Sequence, residues 1–316
     1  MSYDWTLGQI GSQSGKRVLV TGANSGIGYH TALELARRGA SVVMACRDLR
    51  RGEAALAQLR KAVPGALAEL QLLDLSSLSS VREAAQRELA GGMPLHLLIN
   101  NAGVMAPPKR VQTLDGFELQ FATNVLGHFL LTALLKPALE KTGSGRVVTV
   151  ASIAHKRGQI RFEDLQFAKV YDPMASYAQS KLANLLFAFE LERRLRKAGS
   201  TITSVACHPG VAGTKLFLTG DYGFLEKTIR TVASYLIGLL LNSEIQGALP
   251  TLFAATSDNA VGAGYYGPQG FREMRGGNVG QAQIRPQAQD EAVATQLWSV
   301  CEELTGTRFL PNEPPA

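Results

Sequence analysis

"RVLVTGANSGIG", residues 17–28, decides how this chain is read. Five residues of a short apolar strand, RVLVT (17–21), run into a glycine-rich turn. A helical pattern follows from Tyr29 to Arg38. The glycines Gly22, Gly26 and Gly28 stand in a GxxxGxG spacing. Glycine permits the tight turn and lets backbone N–H groups approach an anion. The helix N-terminus adds partial positive charge. In this strand–turn–helix context the loop reads as a cradle for the pyrophosphate of a dinucleotide, with an ordinary glycine-rich turn as the alternative.

Outward from that turn, strand and helix patterns alternate. ASVVMAC (40–46), AELQLLDL (68–75), LHLLIN (95–100), RVVTVAS (146–152), TITSVAC (201–207) and GAGYYG (262–267) read as the further strands. Helices are expected near Leu49–Lys61, Ser79–Ala90, Phe117–Leu139, through YAQSK (177–181), and near Glu244–Ala255. Alternation implies parallel pairing through right-handed crossovers. Continuous Val/Leu/Ile runs imply strands covered on both faces. The expected fold is α/β: one domain over residues 1–316, a Rossmann-type doubly wound sheet of about seven parallel strands with helices on both faces. No linker or low-complexity tract divides it. The last residues, 305–316, read as a tail.

Composition narrows the classes. The 316 residues are 46% hydrophobic, enough for a sizeable core without covalent staples. Cys46, Cys207 and Cys301 stand far apart with no CxxC, which reads as reduced thiols and a cytoplasmic protein. The longest apolar run, YLIGLLL (235–241), is too short to span a bilayer. No secretory signal pattern opens the sequence. The net charge of +6 is scattered among acids and reads as solvated helix faces, not a nucleic-acid surface. The five histidines lack metal-ligand spacing, so no metal is expected.

The end of the second strand bears on the cofactor. An acid there would accept from a ribose 2′-OH and repel a 2′-phosphate. Here Cys46 ends the strand and Arg47 follows. A guanidinium pairs bidentately with phosphate oxygens, which favours NADP(H) over NAD(H). Read otherwise, Arg47 pairs with Asp48 or Glu53, and a one-place slip puts the Asp48 carboxylate at the ribose.

Tyr177 and Lys181 are four apart on a helical pattern and therefore share a face. NNAG (100–103), TNVLGHF (123–129), Ser152 and HPG (208–210) complete an ordered set with TGANSGIG and the Tyr–Lys pair. Together, over most of residues 16–270, they resemble the short-chain dehydrogenase/reductase family. The 25-residue separation of Ser152 from Tyr177, ACRD (45–48) and QLWSVCEELTG (296–306) resemble its retinol-dehydrogenase-like branch, which prefers NADP. Ala151 departs from a serine common in relatives. The membrane-anchoring N-terminal segment of some animal relatives is not recognised here, which leads us to expect a soluble, bacterial-type enzyme.

The resemblance implies an NADP(H)-dependent oxidoreductase that interconverts an apolar aldehyde or ketone and its alcohol by hydride transfer. Tyr177 would be the general acid/base, its phenol made more acidic by the Lys181 ammonium. Ser152 would hold the substrate oxygen, and Asn124 would hold a water in a proton relay through Lys181. The cofactor would meet Gly22, Asn24, Ser25, Gly26, Ile27 and Gly28 at the turn, then Arg47, Asp74 and Leu75. Further contacts would be Asn101, Ala102 and Gly103, then Tyr177, Lys181, Pro209, Gly210 and Thr214. Singly, Asp74 could instead cap a helix and Pro209–Gly210 could be a plain turn. His155 reads as a packing or surface residue that borders the substrate at most. Residues 214–242, with an amphipathic stretch at 216–241, would cover the substrate as a lid; core packing, a dimer contact or a membrane-surface helix are the other readings. The family commonly forms dimers or tetramers. Two rival functions are a non-catalytic NADP(H)-sensing regulator and a nucleotide-sugar epimerase or dehydratase. The complete Ser–Tyr–Lys–Asn set argues against the first, and the glycine spacing and short tail against the second.

Overall fold

The computed structural model describes residues 2–211 and 242–310. Thr214, the lid segment 214–241 and the terminal residues 311–316 lie outside the described residues. Along the chain, β1 (Ser2–Tyr3) precedes β2 (Arg17–Thr21), α1 (Gly26–Arg37), β3 (Ser41–Cys46) and α2 (Leu49–Ala62). Then come β4 (Ala68–Leu72), α3 (Leu78–Ala90) and β5 (Leu97–Asn100). A short α4 (Leu119–Phe121) and a π-helical segment (Ala122–Leu126) lead into α5 (Gly127–Glu140). β6 (Arg146–Val150), the 25-residue α6 (Pro173–Lys197) and β7 (Thr203–Cys207) follow. The described chain ends with α7 (Glu244–Thr256), β8 (Tyr265–Pro268), β9 (Val279–Gln281) and α8 (Glu291–Thr305).

The strands form one sheet in the order β1-β9-β8-β7-β6-β5-β2-β3-β4. β2 to β8 supply the seven parallel strands expected. Two short antiparallel partners, β9 on β8 and β1 on β9, extend that edge beyond the expected strands. They pair over three residues and two, too few to show an alternation in sequence. Side chains alternate between two cores, as the strand period demands. Leu19, Val43, Leu98, Val147 and Tyr265 join the core beneath α3, α5, α6 and α8. Val18, Met44, Ile99, Val148 and Tyr266 join the one beneath α1, α2 and α7.

The crossovers reverse direction between β2 and β5, which lie side by side. Loops leaving the carboxyl ends of these strands splay apart there and open a crevice. The glycine-rich turn leaves β2 and NNAG leaves β5, so the two motifs flank it. The helix expected continuously over 117–139 is instead three segments, because the ladder widens to π geometry at Ala122–Leu126 around Asn124. The expected tail is also partly core. The Phe309 ring packs tilted against Trp298, centres 4.6 Å apart, and Arg194 Nη1 donates to the Leu310 carbonyl at 2.8 Å.

Candidate active site

At the turn after β2, Gly22 takes φ +67°, which only glycine adopts without strain. Gly28 has no room for a side chain: a Cβ there would come within 2.4 Å of the Gly22 carbonyl oxygen and the Asn101 amide. The start of α1 is thereby pressed against both loops. Its N-cap, Ser25, makes no side-chain capping bond, so the first-turn N–H groups face the crevice.

Thr21, at the end of β2, organises the facing loop. Its Oγ1 accepts from the backbone N–H of Asn101 at 3.0 Å and of Ala102 at 2.9 Å. The same oxygen lies 2.9 Å from His128 Nε2, and His128 Nδ1 lies 3.1 Å from the Asn124 carbonyl. A carbonyl can only accept, so the Nδ1–H tautomer follows and Nε2 receives the threonine proton. Asn101 Nδ2 closes the unit by donating to the Thr21 carbonyl at 2.8 Å. Burial pushes the His128 imidazole down to about 4, and the Lys181 charge opposes its protonation further.

A single cleft of about 1680 Å³ runs across these loops. Gly22, Asn24 to Gly28, Arg47, Asp74, Leu75, Asn101 to Gly103, Pro209 and Gly210 all line it, as do Ser152, Tyr177 and Lys181. Every described residue of the expected cofactor set is thus brought to one cleft. Arg47 is exposed and makes no ion pair among the described residues. Asp48 is instead committed to α2: it caps the helix from below Arg51 N and pairs with the Arg51 guanidinium at 3.5 Å. Asp74 does not cap α3. Ser77 does, while one Asp74 oxygen accepts from the Ser76 N–H and hydroxyl.

The Tyr177 and Lys181 side chains lie one turn apart on α6, both nearly enclosed. α6 starts at Asp172, whose carboxylate accepts from Met174 N and Ala175 N, with Pro173 at the first helical position. Lys181 Nζ donates to the Val150 carbonyl at 2.9 Å, at the end of β6, and lies 5.9 Å from the Tyr177 ring centre. Ser152, two residues beyond Val150, lies close enough to the phenol for its hydroxyl to favour the phenolate. The expected lowering of the phenol is not what the protein alone produces. Burial pushes Tyr177 up to about 12, and the Ser152 hydroxyl only partly opposes it. Burial likewise brings Lys181 down to about 8. Removing water penalises the charged form of both groups, and here that outweighs their pairing.

Asn124 alone of the expected catalytic four stands behind the cleft lining, fully buried. Its amide donates to the Val104 carbonyl at 3.0 Å and to Ser180 Oγ at 2.9 Å, and its Oδ1 accepts from Val104 N at 2.8 Å. A Cβ on Gly103 would sit 3.3 Å from that oxygen and 3.6 Å from Lys181 Nζ, so both polar atoms face the same small volume. His155 packs in the interior, with Nδ1 2.7 Å from the Ser152 carbonyl. Glu118 went unnoticed in the sequence. Fully buried, its carboxylate caps α4 and accepts from Ser176 Oγ at 3.0 Å, which locks the residue before Tyr177. An acid just ahead of an apolar helical run was the available signal.

Residues 16–219 match the family described as short chain dehydrogenase. The chain belongs to that family. It is 41% identical over 295 residues to retinol dehydrogenase 13 of Homo sapiens, covering 92% of this chain and 85% of that protein. It is also 41% identical over 298 residues to polyprenol dehydrogenase of Mus musculus, covering 93% and 85%. A crystal structure of an uncharacterised Mycobacterium paratuberculosis protein superposes with TM-score 0.77 at 42% identity, covering 96% of this chain and 98% of the other. The chain is therefore a retinol-dehydrogenase-like member of an oxidoreductase family that uses NAD(P)(H). Among the described residues no helix is long and apolar enough to cross a membrane.

Proposed function

We propose that the protein is an NADP(H)-dependent oxidoreductase that interconverts an apolar aldehyde or ketone and the corresponding alcohol. The observation that carries this is the convergence of Ser152, Tyr177 and Lys181 on the cleft that begins at the glycine-rich turn. The cradle fits a dinucleotide: close-packed glycine, helix N–H groups without a side-chain cap and, at the end of β3, an arginine with no ion pair among the described residues. Arg47 supports the 2′-phosphate, since the one carboxylate beside it is already held by Arg51. Gly22 to Gly28 would hold the pyrophosphate; Asp74, Leu75 and Asn101 to Gly103 would meet the adenosine side. Pro209, Gly210 and, outside the described residues, Thr214 would meet the nicotinamide half. Bound there, the nicotinamide supplies or takes the hydride.

The chain's own residues manage the oxygen and the proton. Ser152 Oγ donates to the substrate oxygen and holds it near the phenol. Tyr177 gives its proton to that oxygen as negative charge develops, and takes it back in the oxidative direction. Lys181, held by Val150, keeps a positive charge beside the phenolate. Asn124 fixes the Val104 backbone and Ser180 behind the lysine, and the second lone pair of Oδ1 serves the water relay. Relatives named for retinol and polyprenol, both apolar alcohols, support an apolar substrate. The buried free thiols support a cytoplasmic location. We read 1–316 as one domain, with 214–242 as its lid.

The test follows NADPH and NADH consumption with a panel of aldehydes and ketones, using Tyr177→Phe as control. NADPH-dependent turnover lost in the variant is expected. Equal turnover by the variant removes the phenol from the mechanism.

A further inference from the structure

The cleft has a second cationic end, and the cofactor reading does not use it. Arg157 follows β6, Arg272 follows β8 and Arg285 follows β9; all three line the cleft and are exposed. Arg47 follows β3, which lies three to six strand positions away in the sheet. At about 4.8 Å per strand, β8 stands roughly 24 Å from β3, whereas Glu273, accepting from Lys156 Nζ and Gln283 N, draws the segments that carry Arg157 and Arg285 to Arg272. These three guanidinium groups therefore do not serve the 2′-phosphate.

None of the three makes an ion pair among the described residues, although acids are close at hand; the Arg272 guanidinium lies 5.3 Å from the centre of the Phe271 ring. Glu273 is taken: its carboxylate accepts from Lys156 Nζ at 2.6 Å and from Gln283 N at 2.6 Å. The acids that line the cleft have neighbours of their own. Asp48 holds Arg51, Asp74 holds Ser76, Asp172 caps α6, and Glu244 lies 3.5 Å from His30. Arg272 is also held in an unusual backbone conformation, φ 50° and ψ 31°, followed by Glu273 at φ 59°. Two successive non-glycine residues in the left-handed region are strained, and the two Glu273 side-chain bonds hold them together with the backbone bonds Glu273 N to Gly270 O and Met274 N to Phe271 O, each 2.9 Å. The Met274 carbonyl accepts from Val211 N at 2.8 Å, which fixes this segment against the loop after β7, on the nicotinamide side.

Building on the oxidoreductase reading, we propose that the substrate carries an anionic oxygen group, carboxylate or phosphate, besides its reacting carbonyl. Arg157, Arg272 and Arg285 bind that group, and the rest of the substrate remains apolar. Guanidinium groups suit either anion through paired N–H donors.

The test uses the NADPH-loaded protein, with which none of the probes can react, and calorimetric titration with decanoate, decyl phosphate and 1-decanol. The anions are expected to bind at least about fivefold more tightly than the alcohol, as for one or more exposed charge contacts, with affinity falling as salt rises. Arg272→Gln and Arg285→Gln, singly and together, are expected to erase that margin, with NADP⁺ binding as the check that each variant is folded. The stronger of the two anions identifies the group. Equal binding of anion and alcohol, or an undiminished margin in the folded variants, overturns the proposal. A turnover arm compares decanal with 10-oxodecanoate at fixed NADPH. Salt-dependent decanoate binding with no NADPH consumption by either carbonyl would leave the anion site standing and remove the oxidoreductase reading. Faster turnover of decanal than of 10-oxodecanoate would do the reverse.

Discussion

Lys181 Nζ donates to the Val150 carbonyl at 2.9 Å and sits 5.9 Å from the centre of the Tyr177 ring. The lysine is therefore anchored by the sheet and faces the phenol without being spent on it. Burial brings the ammonium to about 8 and the phenol to about 12, so near neutral pH both are protonated. In carbonyl reduction Tyr177 is then already the acid, and the limit is the lysine charge that stabilises the phenolate left behind. Lys181 is charged below its own pKa and neutral above it. We expect kcat/KM for reduction to hold level below pH 8 and to fall above it, long before the phenol itself ionises. Lys181→Met should abolish that limb and slow reduction by about 10²–10⁴-fold. A flat profile to pH 10 in the native enzyme would assign the lysine a different task.

Gly103 gives a steric test of the relay. A methyl group there would press on Asn124 Oδ1 and approach Lys181 Nζ. Gly103→Ala should therefore lower kcat by about tenfold or more through the displaced water while leaving the fold intact. Rates measured in H₂O and D₂O should show a larger solvent isotope effect in the variant if proton delivery has become limiting. An unchanged kcat means that the proton travels another way.

Arg47 sets cofactor choice. Losing a guanidinium–phosphate contact costs on the order of 1.5–3 kcal/mol. Arg47→Ser should then lower kcat/KM for NADPH by about 10–100-fold and change the NADH value little. Steady-state kinetics with both cofactors decides this. A native enzyme that prefers NADH contradicts the assignment outright.

Much of this is legible in the amino-acid sequence. The strand–turn–helix at 17–28 fixed the chain direction of the sheet, and the i, i+4 pair on one helix placed phenol and ammonium on one face. What stayed hidden depends on contacts between distant segments. Thr21 reads as the last residue of a strand, yet it ties Asn101, Ala102 and His128 together across 80 to 107 positions of sequence. Glu118 reads as one acid among many, and only the return of α6 makes it the anchor of Ser176. The π segment at 122–126 keeps the apolar spacing of a helix, so periodicity alone reads it as continuous. The phenol was expected to be acidic because the pair was visible, whereas its burial, which pushes the other way, was not.

The buried histidines give the protein a definite acid sensitivity. His128 is held neutral, with Nδ1–H given to the Asn124 carbonyl and Nε2 receiving the Thr21 hydroxyl. Its folded pKa is about 4, against an ordinary value of 6.5. His208, whose Nδ1 accepts from Gly210 N at 3.1 Å, is brought to about 3 by burial and the neighbouring cations. Between these values and 6.5 the unfolded chain binds protons that the folded protein does not. Stability therefore rises with pH through that window and is lost as pH falls from 6.5 towards 4. The His128 site alone accounts for a loss on the order of 3 kcal/mol. Urea midpoints at pH 7, 5.5 and 4.5 should decline steeply in the native protein and less steeply in His128→Gln. The comparison is of slopes, because the variant also loses hydrogen bonds at pH 7. The same substitution loosens the support of Asn101 and Ala102, so KM for NADPH should rise about threefold to tenfold while kcat at pH 7 is kept. Matching slopes in the two proteins would mean that protons enter elsewhere and that His128 is a spacer between loops.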